Sequence, residues 1–181
     1  VNLSLGVNTL IRRYLSLSSE NSERGGAAIR LGWEPRQNQR LNLSAGWTRN
    51  VEGRGDPESL PPTVTGPRLS NIWEAEARYS HESGRMLYTG DLVWRKYDFL
   101  GAANDTRDFT SYQGALTVGT AIGSRFYGTA TAYVTKRDFR LLATPLGPDQ
   151  DQTTFGGRIG ISTKERGLIE GRAQIGMFRL N

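Results

Sequence analysis

Apolar and polar residues alternate along most of the chain with a period of two. Residues 27–34 set Ala27, Ile29, Leu31 and Trp33 against Ala28, Arg30, Gly32 and Glu34, and residues 40–48 set Leu41, Leu43, Ala45 and Trp47 against Arg40, Asn42, Ser44, Gly46 and Thr48. Residues 73–80 set Trp73, Ala75, Ala77 and Tyr79 against Glu74, Glu76, Arg78 and Ser80. The same rhythm runs through 1–8, 86–95, 112–119, 126–135, 154–162 and 169–177. A strand turns successive side chains to opposite faces, so each segment predicts a strand with one apolar and one polar face. Nine strands follow, and no helical amphipathic stretch of useful length competes with them.

The connections add a second pattern. Short ones are expected near 35–39, 82–85, 123–125 and 164–167, and longer polar ones near 19–25, 50–70, 98–109 and 139–152. Short and long alternate. A soluble β-sandwich, with one face in a core and one in water, has no reason to sort its loops in this way. A transmembrane β-barrel has tight turns on one rim and longer loops on the other. The fold class predicted is therefore all-β: an antiparallel up-and-down transmembrane β-barrel of about nine visible strands, forming one domain over residues 1–181. The alternative is a small closed barrel or a soluble sandwich that acts as an adhesin or binding module through its long loops.

In the barrel reading the apolar face meets lipid. Trp33, Trp47, Trp73, Tyr79 and Trp94 lie near the strand ends of that face, as the aromatic girdles of a membrane barrel do. The other face carries Arg30, Glu34, Glu74, Glu76, Arg78, Asp91, Arg95, Arg137, Arg158, Glu170 and Arg172. Such charges are costly in hydrocarbon but can pair or hydrate in a lumen. We expect Arg30, Glu74, Glu76, Arg78, Asp91, Arg95, Arg158, Glu170 and Arg172 to line that lumen. Their nearly balanced signs point to cross-strand ion pairs more than to a strongly ion-selective pore.

Composition narrows the chemistry. The chain has 181 residues, no Cys, one His and 22 Gly. Without Cys there are no disulfides, thiolate zinc sites or iron–sulfur clusters, and a single His excludes multi-histidine metal sites. No cofactor or metal is expected. No apolar run is long enough for a transmembrane helix. Lys+Arg 23 against Asp+Glu 18 leaves a net charge of +5, spread along the chain and interleaved with acids, which argues against nucleic acid as a partner. The partners expected are outer-membrane lipid and lipopolysaccharide, with polysaccharide or small polar solutes in the lumen. The localisation expected is the bacterial outer membrane.

Nine strands leave both ends of the barrel on opposite rims, whereas bacterial single-chain barrels have an even number. The chain opens at Val1 and closes on Gly176-Met177-Phe178-Arg179-Leu180-Asn181, not on an aromatic residue. The expectation is a segment of a larger barrel.

The C-terminal part, roughly residues 107–181, resembles the outer-membrane β-barrel porin 2 family. The likeness rests on Arg137-Asp138-Phe139 at the outer end of a strand, an acidic loop, and a Gly-rich strand around Gly156-Gly157. A short basic turn and a strand opening on Leu168-Ile169-Glu170-Gly171 complete it. The resemblance implies a porin-like pore, and an association with capsule or exopolysaccharide secretion. The chain is shorter than members of that family.

Other motifs favour plain readings. His81-Glu82-Ser83 invites comparison with a hydrolase triad, but on the expected topology it lies in a short turn on the periplasmic rim. Glu74 and Glu76 share one face of a strand with Arg78 and read as part of an ion-pair ladder, not an acid–base pair. Arg54-Gly55-Asp56 sits in a long loop as ordinary turn chemistry. Asp149 and Asp151 lack the rest of a calcium loop. No enzymatic activity is expected.

Overall fold

The computed structural model describes residues 1–16, 21–51, 69–101, 106–140, 151–163 and 171–181. Nine strands follow one another: β1 (Asn2–Arg12), β2 (Ser22–Arg36), β3 (Gln39–Val51), β4 (Leu69–Ser83), β5 (Met86–Phe99), β6 (Phe109–Ile122), β7 (Phe126–Phe139), β8 (Gln152–Thr163) and β9 (Arg172–Leu180). They form a single sheet in sequence order, every neighbour antiparallel. No α-helix occurs among the described residues. The sheet is open, with β1 and β9 as its edges.

Seven of the nine expected segments lie wholly within strands, which run longer than the alternation alone marks; 1–8 overlaps β1 from Asn2, and 169–177 overlaps β9 from Arg172, with Ile169 and Glu170 outside the described residues. β2 begins at Ser22, where a loop was expected up to residue 25, and β4 runs on to Ser83. His81, Glu82 and Ser83 are therefore strand residues rather than turn residues, opposite Tyr88, Leu87 and Met86. The turn is only Gly84-Arg85. Gly84 has φ +59°, the left-handed geometry that the first central position of a II′ hairpin requires and that glycine reaches without strain. At the other end, β9 starts at Arg172, and the short turn expected at 164–167 lies outside the described residues. The base of the β8–β9 connection closes through Thr163 N–H to the Gly171 carbonyl at 2.9 Å.

Two long connections share one closing device. Asp108 is buried, and its Oδ1 accepts the Phe99 amide at 2.7 Å. Asp151 Oδ1 accepts the Phe139 amide at the same 2.7 Å. In both cases an Asp ahead of a strand caps the last amide of the strand before it. Asp108 also accepts the Arg140 amide on its carbonyl at 2.9 Å, joining the β5–β6 connection to the end of β7. Removing the Asp108 carboxylate leaves the part-buried Phe99 N–H without its partner, at a cost of up to about 1–3 kcal/mol. Asp108→Ala is therefore expected to raise the hydrogen-exchange rate of the Phe99 amide at least tenfold. Unchanged protection would mean that the loop backbone, not this carboxylate, holds the strand end.

Hydrophobic burial in this sheet is slight. Among the described residues the buried hydrophobic side chains are Ala121 and Tyr127. The large apolar side chains point outward: Leu5 is 76% exposed, Leu116 70%, Ile175 75% and Met177 84%. A one-layer sheet has nothing of its own to cover that face.

Candidate functional site: the polar face of the sheet

Register places the charged residues in rows. The β4–β5 hairpin sets Glu74 opposite Arg95 and Arg78 opposite Asp91. In each pair the arginine Nε donates to the carboxylate, Arg95 to Glu74 Oε2 and Arg78 to Asp91 Oδ1. Directly opposed charges are the sheet counterpart of helical ion pairs, contributing roughly 0.2–1 kcal/mol each. Glu76 stands between them, opposite Ser44 on one side and Val93 on the other.

Two of the hollows on this face bring acids and arginines together. One, of about 610 Å³, is lined by Arg30, Glu74, Arg95 and Tyr97 together with Asn8 and Asn50. Residues of β1 and β5 line this one hollow, so the polar face is concave there. The other, of about 290 Å³, is lined by Asp91, Gln113, Thr117, Tyr133, Arg158 and Arg172. Of the nine residues expected to face the lumen, these two hollows gather Arg30, Glu74, Asp91, Arg95, Arg158 and Arg172, and Arg78 joins them through Asp91. Glu170 lies outside the described residues. So do Arg54-Gly55-Asp56 and Asp149. Glu34 pairs with Arg40 at 3.0 Å near the short-turn end.

The second hollow owes its shape to glycine. Arg158 lies over the Tyr133 ring, 4.4 Å from its centroid. A Cβ on Gly156 would fall 2.3 Å from that ring, and one on Gly176 would fall 2.7 Å from Arg158 Cγ. The missing side chains on β8 and β9 let Tyr133 and Arg158 lie flat against the sheet. Gly156→Val is thus expected to lift Tyr133 and separate it from Arg158. Loss of upfield ring-current shifts on the Arg158 methylenes would register the change, and unaltered shifts would count against this packing. On the wall of the second hollow, Thr117 and Thr131 share a hydroxyl hydrogen bond at 2.8 Å.

The opposite face holds the predicted aromatics in two rows. Trp47 faces Trp73 across β3–β4, and Trp94 faces Tyr112 across β5–β6, near the long-connection end. Trp33, Tyr79 and Tyr88 lie near the short-turn end. His81 belongs to this second row, stacked beside Tyr88 with ring centroids 6.3 Å apart. Between the rows the face carries no Asp, Glu, Lys or Arg in any of the nine strands.

Tyr88 and Tyr112 were not singled out in the sequence, although their strand parity marks them. Asp108 and Asp151 were missed as strand caps. The signal for them was the repeat of Asp98-Phe99 and Asp138-Phe139 at strand ends, each followed by a further Asp. No family model matches the chain, and no curated protein or solved structure matches it significantly.

Proposed function

We propose that this chain is the membrane-spanning part of an outer-membrane β-barrel, with the apolar face in lipid and the polar face lining an aqueous path for polar solutes. The observation that carries the reading is the uncovered apolar face of an unbroken nine-stranded sheet, free of charge between two aromatic rows. A surface of that extent cannot stay in water, and hydrocarbon bounded by aromatic girdles is the environment it fits. Its height agrees. The apolar rows span eight residue steps from Met86 to Trp94 and ten from Tyr112 to Ile122. At ~3.3 Å per residue and a ~40° tilt this is about 20–25 Å, the thickness of the apolar band of such barrels.

The mechanism is passive. Paired charges such as Glu74–Arg95 and Arg78–Asp91 keep the path wet without a strong field of either sign. The resemblance to the β-barrel porin 2 family extends the proposal to a porin-like channel or a pore associated with exopolysaccharide export.

An odd strand count makes β1 and β9 run the same way, so an antiparallel seam needs an odd number of further strands. The intact mass of the polypeptide extracted from envelopes is therefore expected to exceed 20.1 kDa. A mass equal to that value, with ion conductance absent, would replace the pore by a closed barrel filled with side chains.

A further inference from the structure

Four cations stand on the apolar face just beyond its aromatic row, all at the long-connection end. Arg49 is on β3, Lys96 on β5, Lys136 on β7 and Arg179 on β9. They sit on alternate strands, each offset two residues along from the last, about 12 Å apart at ~4.8 Å per strand and ~3.3 Å per residue. Each adjoins an aromatic ring of the same face. The Arg49 guanidinium lies 5.8 Å from the Trp47 ring and the Lys96 ammonium 5.7 Å from Trp73. Lys136 is directly opposite Tyr112, and Arg179 is directly opposite Phe155. Hydrogen bonds through Nε anchor both arginines, Arg49 to Asn71 at 3.1 Å and Arg179 to Asn181 at 3.0 Å. The acids of this face stand one step further from the apolar band: Glu23 on β2, paired with Arg13, Asp98 two residues beyond Lys96, and Asp138 two beyond Lys136 and 3.3 Å from it. At the short-turn end the one strand cation of this face among the described residues is Arg36, at the tip of β2.

We infer that these four residues bind the phosphate groups of acidic lipids, and that the site belongs to the leaflet on the long-connection side. The inference rests on the spanning reading above. The charge is complementary, and the depth is that of a headgroup: the cations lie immediately outside the ring that marks the edge of hydrocarbon. The ~12 Å spacing gives each cation its own headgroup. The aromatic ring beneath each one keeps it at the interface, where the cation–π contact and a phosphate can both be made.

The test uses the full chain refolded into phosphatidylcholine vesicles that contain a minor fraction of bisphosphorylated lipid A. The protein is extracted in mild detergent, and the retained lipid is counted by native mass spectrometry. The parent is expected to retain lipid A well above its share of the bilayer. K136Q/R179Q is expected to lower that retention about 30-fold, at roughly fivefold per charge near a membrane surface. Charge-keeping K136R and the opposite-face variant R158Q should retain it as the parent does. If K136Q/R179Q is poorly inserted, the single variants K96Q and R179Q give the same reading at smaller amplitude. Parent-like lipid A on inserted K136Q/R179Q would overturn the site and leave the spanning reading standing. No preference over phosphatidylcholine in the inserted parent would do the same. A parent that never enters the vesicles would overturn both.

Discussion

Leu116→Arg is expected to abolish stable insertion into bilayers, whereas Gln113→Arg in the same strand is expected to insert as the parent does. Leu116 lies near the middle of β6 on the apolar face, between Gly90 on β5 and Ala132 on β7. Its small neighbours leave it 70% exposed, so on the spanning reading it projects into hydrocarbon. An arginine at the bilayer midplane of a β-barrel costs about 2–4 kcal/mol, a roughly 30- to several-hundred-fold loss of folded population. Snorkelling offers little relief there, because both interfaces are several residues away. Gln113 faces the other way and lines the second hollow with Asp91 and Arg158. A further cation there meets water and a nearby carboxylate. Denaturant unfolding of the two variants in vesicles decides between the faces. Equal stability would mean that the apolar face does not meet lipid. A loss confined to Gln113→Arg would mean that the two faces have been exchanged.

Much of this fold was legible because period two is a physical property of the strand, not a statistical tendency. Leu92 and Trp94 had to share a face, and Asp91 and Arg95 the other, wherever the strand ended. The limits of strands were harder to read. The polar run Ser22-Glu23-Arg24 reads as loop, yet it pairs with Arg12, Ile11 and Leu10 of β1. Backbone pairing continues past the point where one face must be apolar, and side-chain pattern carries no signal for that.

The ion pairs show how a small boundary error propagates. A turn spread over residues 82–85 would set residue 81 opposite 86, and so Glu74 opposite Val93. The two-residue turn at Gly84-Arg85 sets Ser83 opposite Met86, which brings Glu74 to Arg95 and Arg78 to Asp91. The partners were evident as a group on one face, but their pairing depended on the turn. Arg158 is the opposite case. Its charge and face were visible in the sequence, but its posture over Tyr133 depends on Gly156 and Gly176, which sit on the two strands beyond Tyr133. The headgroup cations were hidden for another reason. Arg49, Lys96, Lys136 and Arg179 continue the apolar parity beyond the alternating segments, so they looked like the beginnings of loops.

On the proposed channel reading, Arg78→Glu and Arg158→Glu are expected to shift selectivity toward cations without preventing insertion, because both side chains lie on the polar face. The two substitutions differ in what surrounds them. Arg78 is matched by Asp91 directly across the hairpin, so this pair contributes almost no net field in the parent. Replacing the arginine by an acid sets two carboxylates against each other on neighbouring strands, a local change of two charges at one height on the polar face. Directly opposed like charges destabilise a sheet by no more than about 1 kcal/mol, too little to prevent assembly. Arg158 stands opposite Thr131 and Gly176, with no acid in either cross-strand position. Its reversal converts a local cation into a local anion, so the preference at that height changes sign. Reversal potentials measured across a salt gradient in planar bilayers report both effects. The charge-swapped double variant R78D/D91R restores an opposed pair, and it should return selectivity to near the parent value while either single change displaces it. That restoration is what separates a lumen pair from two unrelated surface charges. Recordings of Arg78→Glu and Arg158→Glu identical to the parent would show that ions do not pass along this face.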